Sequence, residues 1–271
     1  MMIRKSIAAI AAAFAIAATA SAIPATALAA DAVPAYIQAA VADASRPDAD
    51  KQRDANRKPA ESVAFAGVKP GDKIGELMPG TGYYTRVLSK TVGAKGVVYA
   101  MPPAPAAPPA GAAPAGGPPA GAPAAARPNP LAALAADPGY SNVRLASMDL
   151  NAKLPELVDL VWTSQNYHDF VNRSDADLAA INKMVFDALK PGGVYLVIDH
   201  ASAPGAGKTS TKTLHRMDPE AVKKDLAAAG FVFEAESKLL QNPADPHTSN
   251  VHDGDIRGST DQFMLRFRKP K

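Results

Sequence analysis

Short apolar runs rich in β-branched residues alternate with segments that predict helices along most of the chain. Apolar runs of this length, bounded by turn residues, are typical of strands buried on both faces of a sheet. The predicted strands are Lys73–Met78, Gly96–Met101, Val143–Met148, Val158–Ser164, Val194–Asp199, Phe231–Ser237 and Gln262–Arg268. The length of the chain favours one large domain rather than two.

Helices are predicted both before the first strand and between the strands. Asp218 and Pro219 supply an N-cap and a first-turn proline for one of them, and the LKPGG segment Leu189–Gly193 ends another. The remaining predicted helices are Pro34–Ala44, Asp50–Ala66 and Tyr83–Val92. Repeated strand–helix units predict an α/β fold with a doubly wound, mostly parallel sheet.

In such a sheet, ligands bind beyond the carboxyl ends of the strands, near the point where the strand order reverses. The residues at or just after those ends are Glu76–Gly82, Met101, Asp149, Ser164–Asp169 and Asp199–His200. They are the candidates for binding and catalysis.

One segment departs sharply from this pattern. Between Pro102 and Pro130, 27 of 29 residues are proline, alanine or glycine. The segment has few backbone donors and almost nothing to bury, so we expect a disordered or polyproline-like insertion. A surface insertion is favoured over a docking motif for a partner, because Arg127 is its only basic residue.

Residues 1–30 have the pattern of an export signal. Arg4 and Lys5 precede an apolar, alanine-rich core, and Ala27-Leu28-Ala29 provides a cleavage site. The core is too short and too rich in alanine to span a bilayer comfortably. We therefore expect a periplasmic protein comprising residues 31–271, with no stable membrane insertion once the signal is removed.

The charge balance gives no support for nucleic-acid binding. The chain has 29 basic and 26 acidic residues. Without Arg4 and Lys5, which belong to the signal, 27 basic residues face 26 acidic ones, a net charge of +1. The absence of cysteine excludes disulfides and thiolate zinc sites. A small-molecule substrate is the expected partner, and the sequence leaves the oligomeric state open.

The turn after the first strand carries the main chemical signal. Gly80-Thr81-Gly82 leads into a helix, but Thr85 takes the place of the small third residue of a dinucleotide turn. The Gly-Lys-Ser/Thr sequence of a phosphate-binding P-loop is absent. A dehydrogenase and a P-loop nucleotidase are therefore both disfavoured.

The segment Glu76–Gly82 instead resembles the first motif of class I S-adenosylmethionine-dependent methyltransferases. With NYHDF and LKPGGVYLVIDH, the segment LMPGTGYYTRVLSKTVG is similar to a family of predicted exported methyltransferases. The resemblance covers most of the chain from about Arg53 onward, except the proline-rich insertion. It departs from the family at Met78, which replaces the usual first glycine, and after Met101, where the acidic ribose ligand is missing.

The resemblance implies a Rossmann-like fold and S-adenosylmethionine as cofactor. It places the cofactor against the loop after the first strand and against the ends of neighbouring strands. The implied cofactor-binding residues are Glu76, Met78, Pro79, Gly80, Gly82, Met101, Asp149 and Asn166.

Three residues after the fourth and fifth strands are candidates for catalysis. His168 can act as a general base if a hydroxyl is methylated, with Asp169 or another carboxylate orienting it. Tyr167 and His200 are expected to line the same opening at the carboxyl ends of these strands. A metal site is not expected, because the spacing of His215, His247 and His252 matches no common ligand pattern. The prediction is methyl transfer to an unknown acceptor; the alternative is a periplasmic binding protein that kept the fold without catalysis.

Overall fold

The computed structural model describes residues 32–103, 130–149, 153–172 and 178–271. The predicted export signal and residues 104–129 of the predicted insertion lie outside these ranges. Strands are β1 Lys73–Leu77, β2 Val97–Met101, β3 Val143–Leu145, β4 Val158–Ser164, β5 Leu189–His200, β6 Val232–Ser237 and β7 Gln262–Arg268. Helices are α1 Ala35–Val41, α2 Asp48–Lys51, α3 Asp54–Arg57, α4 Pro59–Ala66, α5 Tyr83–Val92, α6 Pro130–Ala136, α7 Tyr167–Asn172, α8 Leu178–Ala188, α9 Thr211–Leu214 and α10 Pro219–Ala228.

The strands form one seven-stranded sheet in the order β3-β2-β1-β4-β5-β7-β6. The pairs from β3 to β5 are parallel, whereas β7 is antiparallel to both β5 and β6. The sheet is therefore mixed. Parallel strands need a crossover connection, usually a helix, but the segment from 238 to 261 contains no helix and returns the chain in the opposite direction.

Helices cover both faces of the sheet, so neighbouring residues of a strand enter two different cores. In β5, Leu196 and Ile198 face the core that contains residues of α1, α4, α5 and α6, while Tyr195 and Val197 face the core built with α7, α8 and α10. Trp162 of β4 is completely buried in the first core. This two-sided burial explains why the strands are almost continuously apolar.

Local sequence signals account for several element ends. The Asp218 side chain accepts a hydrogen bond from the Glu220 amide at 2.9 Å, and Pro219 starts α10, which confirms the predicted cap. The N-terminal region is divided into four short helices rather than two, and Lys58, with a φ of 41°, separates α3 from α4. Among the described residues no helix is both long and apolar enough to cross a membrane.

Candidate functional site

The strand order reverses between β1 and β4, and the turn after β1 lies at this point. The Met78 amide donates to the Met101 carbonyl at 2.9 Å, which extends the pairing of β1 with β2 by one residue. Met78 then adopts a left-handed conformation with a φ of 48°. Such a conformation costs about 1–2 kcal/mol for a residue with a Cβ. The turn thus keeps the backbone shape of a glycine motif although its first glycine is replaced.

The two glycines of the turn differ in their surroundings. A Cβ on Gly80 would meet nothing within 4 Å, so its exposed backbone faces open space. A Cβ on Gly82 would lie 2.8 Å from Leu134 Cδ2 of α6. Both have positive φ, 57° and 88° respectively. Gly80 therefore leaves room for a ligand, whereas Gly82 is required by the packing of α6.

Pro79 and Glu76 stabilise the turn from inside the protein. The buried Pro79 accepts a hydrogen bond from the Gly82 amide at 2.9 Å through its carbonyl. Glu76 is 3% exposed, and its Oε2 accepts a hydrogen bond from Thr85 Oγ1 of α5 at 2.6 Å. Burial raises the pKa of Glu76 to about 7, although the Thr85 hydrogen bond opposes the increase. Glu76 thus connects β1 to α5.

Asn166 joins the glycine turn to the end of β4. Its Nδ2 donates to the Met78 carbonyl at 3.1 Å and to the Ser164 carbonyl at 2.7 Å. The preceding residue, Gln165, has a φ of 61° and accepts a hydrogen bond from Arg57 Nη2 at 2.6 Å. These contacts hold the ends of β1 and β4 and helix α3 in one arrangement.

His168 forms a buried pair with Asp199 at the end of β5. His168 Nδ1 lies 2.8 Å from Asp199 Oδ1, and the His168 amide donates to Asp199 Oδ2 at 2.7 Å. Burial lowers the pKa of His168, but the charge and hydrogen bond of Asp199 outweigh this effect and leave the pKa above its usual value. A carboxylate at Nδ1 fixes the ring orientation and leaves Nε2 available on the other side.

Two further side chains lie at the Nε2 face of His168. Asp169 Oδ1 is 3.4 Å away and His215 Nδ1 is 3.3 Å away. His215 follows α9, which is held against α7 by a hydrogen bond of 2.8 Å from Asn172 Nδ2 to the Thr211 carbonyl. The ring of His252 is 5.0 Å from that of His215, centroid to centroid. His247 does not join them and instead contacts Asp261 at 2.8 Å.

The structure places Tyr167 in the core rather than at the opening beside His168, where the sequence predicts it. The Tyr167 ring is fully buried, and its hydroxyl accepts a hydrogen bond from Asn182 Nδ2 of α8 at 3.0 Å. Successive residues of a helix point in directions about 100° apart, so Tyr167 enters the core while His168 reaches Asp199.

His200 contacts the His168–Asp199 pair only through its backbone amide, which donates to Asp199 Oδ1 at 2.8 Å. Its Nδ1 is 2.7 Å from Thr260 Oγ1, and its ring centroid is 6.0 Å from that of His168. Burial lowers the pKa of His200 to about 4, so the ring is neutral near pH 7. The contacts of His200 are those of a structural hydrogen-bonding residue.

The remaining predicted cofactor residues occupy the ends of β2 and β3. Met101 is buried at the last position of β2, with its carbonyl bound to the Met78 amide. Asp149 follows β3 and is exposed, and its amide donates to Ser147 Oγ at 3.1 Å. Met101 therefore adjoins the turn directly, whereas Asp149 lies on the loop after the neighbouring strand.

Sequence reasoning missed two arginines near the turn. The guanidinium groups of Arg53 and Arg57 each lie 4.8 Å from the centre of the Tyr83 ring, at the start of α5. Burial lowers the pKa of Arg57 from its usual value. Their position depends on how α2 and α3 pack against α5, and no local motif carries that information.

The architecture is similar to that of several solved proteins. A SAM-dependent methyltransferase from Aquifex aeolicus aligns with a TM-score of 0.52 and 16% identity, over 82% of this chain and 98% of that chain. An arsenic(III) S-adenosylmethionine methyltransferase from Chlamydomonas reinhardtii aligns with a TM-score of 0.51 and 17% identity, over 89% and 75% respectively. The [4+2]-cyclase SpnF aligns with a TM-score of 0.54 and 16% identity, over 81% and 82%.

Sequence comparison is less informative, because no protein-family model and no curated protein sequence matches the chain. At these levels of identity, structural similarity establishes the fold rather than the reaction. The presence of a cyclase beside the methyltransferases illustrates that distinction. The chain has the Rossmann-like α/β fold that solved S-adenosylmethionine-dependent methyltransferases share.

Proposed function

We propose that this protein transfers a methyl group from S-adenosylmethionine to a small-molecule acceptor in the periplasm. The observation that carries the proposal is the position of Asn166. Its side chain holds the glycine turn against the end of β4, and only two residues later His168 begins the pair with Asp199. A candidate cofactor loop and a candidate proton acceptor therefore meet where this fold class binds ligands.

The residues from Glu76 to Tyr83, together with Met101 and Asp149, are called the cofactor pole. They fit an adenosyl ligand at several points. The open space beside Gly80 permits close approach to the backbone, and the amino terminus of α5 favours the methionine carboxylate. Met101 adjoins the turn at the end of β2 and Asp149 follows β3, on the side where the adenine and ribose would lie. Glu76 stabilises this group from the protein interior through its hydrogen bond with Thr85.

His168, Asp169 and Asp199 are called the acceptor pole, because they lie where the methyl acceptor is expected to bind. This group provides a general base. Bound S-adenosylmethionine provides an electrophilic methyl group on a sulfonium. His168 Nε2 takes the proton that the acceptor atom loses, while Asp199 holds Nδ1 and stabilises the imidazolium. The nearby Asp169 carboxylate adds a second negative charge at 3.4 Å. The acceptor is thus expected to carry an ionisable O–H, N–H or S–H group.

Calorimetric titration with S-adenosylmethionine and S-adenosylhomocysteine tests the proposal directly. We expect binding by the unmutated protein and its loss in Gly80→Val, whose side chain fills the space beside the turn. Gly67→Val is the matched control: Gly67 also has positive φ and open surroundings, but it lies between α4 and the amino end of β1, whereas Gly80 follows the carboxyl end of that strand. Equal loss of binding in both variants would contradict the placement of the cofactor.

Turnover can be separated from binding with Asp199→Asn. The amide keeps the size of the side chain but removes the charge that stabilises a protonated His168. We expect methyl transfer to fall at least tenfold while adenosylhomocysteine affinity changes less than twofold, measured on the same preparation. If the folded, unmutated protein binds neither adenosyl ligand at millimolar concentration, methyl transfer is excluded and the non-catalytic binding protein is the better description.

A further inference from the structure

The side chains on the Nε2 side of His168 form a group with the geometry of a metal site. The nearest ligand atoms are His168 Nε2, Asp169 Oδ1 and His215 Nδ1, and all lie within 4.8 Å of one another. The three separations are 3.3, 3.4 and 3.9 Å. We propose that this group, the HDH cluster, binds a divalent transition-metal ion, most favourably Zn²⁺.

The dimensions of the cluster suit such an ion. A point in the plane of the three ligand atoms lies about 2.1 Å from each of them, which is the Zn–N and Zn–O distance found in proteins. Two imidazole nitrogens and one carboxylate oxygen favour Zn²⁺ over Mg²⁺ or Ca²⁺, which prefer oxygen ligands. No backbone movement is needed to bring the three atoms to bonding distance.

Asp199 orients the ring of His168 so that its Nε2 can bind a metal ion. Asp199 is completely buried and accepts hydrogen bonds from the amides of His168 and His200, so its carboxylate is fixed in place. A metal-binding histidine usually donates its other ring N–H to such a carboxylate. The contact of 2.8 Å from His168 Nδ1 to Asp199 Oδ1 reproduces this arrangement.

The same contact leaves the lone pair of His168 Nε2 available to a cation. With the proton on Nδ1, His168 Nε2 presents a lone pair toward Asp169 Oδ1, another lone-pair atom, 3.4 Å away. A metal ion between the atoms accepts both lone pairs, whereas a proton on His215 Nδ1, 3.3 Å from Nε2, satisfies only the lone pair of His168. The side chains of Asp169 and His215 are 36% and 31% exposed, so an ion can enter and retain an open coordination position.

The inferred ion has a direct consequence for the acceptor pole. A metal bound at Nε2 occupies the nitrogen that would otherwise accept a proton. In the metal-bound form, the open coordination position rather than the imidazole would meet the lone-pair atom of an acceptor. Metal binding itself does not depend on the proposed methyl transfer and can be measured without cofactor or acceptor.

The test is a titration of protein purified without a histidine tag and dialysed against a chelator. Calorimetry with ZnCl₂ near neutral pH should give one ion per chain. Co²⁺ should give visible absorption bands that change when Zn²⁺ displaces it. We expect His215→Ala and Asp169→Asn each to weaken Zn²⁺ binding at least tenfold, and Asp199→Asn to weaken it by about 10–100-fold.

His247→Ala is the matched control. Like His215, His247 is partly exposed and has a left-handed backbone, but its Nε2 contacts Asp261 instead of the HDH cluster. This variant should retain the Zn²⁺ affinity of the unmutated protein, and circular dichroism should show that all variants are folded. The proposal is overturned if the protein binds no Zn²⁺ at millimolar concentration, or if His247→Ala and His215→Ala lose affinity equally.

Discussion

The buried carboxyl of Glu76 should make the stability of this protein depend on pH in an unusual direction. Its pKa is raised from 4.5 to about 7 by burial, with the Thr85 hydrogen bond opposing the shift. The folded protein therefore holds this proton over a pH range in which the unfolded chain has released it. Stability from this group is full below pH 4.5, decreases as pH rises through about 7, and is constant above that.

The pKa shift sets the size of the effect. A shift of one pKa unit corresponds to about 1.4 kcal/mol, so Glu76 should reduce the unfolding free energy by roughly 3 kcal/mol at pH 8 relative to pH 4.5. Glu76→Gln keeps a hydrogen-bonding partner for Thr85 but cannot ionise. We expect the unfolding free energy of the variant, relative to the unmutated protein, to increase by roughly this amount between those two pH values.

Urea denaturation at both pH values measures this difference. Glu61→Gln provides the control, because Glu61 lies exposed on α4 and its replacement should alter both measurements equally. Parallel pH profiles for the unmutated protein and Glu76→Gln would show instead that Glu76 ionises with little cost in its buried position.

Three other predictions follow from the packing and the sequence. Asp245→Ala leaves the fully buried Arg216 without the carboxylate 2.7 Å away and should lower the unfolding free energy by about 3–5 kcal/mol in urea; a loss below about 1 kcal/mol would contradict this. Gly82→Ala should lower the thermal unfolding temperature more than Gly80→Ala, because only the first added Cβ meets a side chain at 2.8 Å, and equal shifts would disprove the packing argument. If residues 1–30 are an export signal, N-terminal sequencing of periplasmic protein should begin near residue 30 or 31; a full-length cytosolic chain would contradict export.

Much of the fold could be predicted because local signals agree with the final structure. The bounds of α5, β4 and β7 are those predicted from the apolar pattern. The segment Leu189–Gly193 ends α8 at Ala188 as predicted, but it also forms the first part of β5, whose predicted start is Val194. The backbone of Lys269 exchanges hydrogen bonds with Gly192 and Gly193 at 2.9 Å, so a partner far along the chain keeps these residues extended.

The site could be predicted only in part for the same reason. His168 was identified from its place after β4, but its pairing with Asp199 joins residues 31 positions apart, and its approach to His215 joins residues 47 positions apart. Contacts between residues so far apart along the chain leave no local sequence motif. The burial of Tyr167 differs from the prediction because a residue pattern does not specify which side of a short helix turns toward the core.

Met78 shows that a backbone shape can be kept while the residue that usually provides it is exchanged. Its φ of 48° lies where glycine is normally required, and its amide and carbonyl are held by Met101 and Asn166. A sequence motif that requires glycine at this position does not match the chain, whereas the backbone conformation of the turn is that of the motif. At such a position, similarity in sequence can therefore be lost before the backbone structure changes.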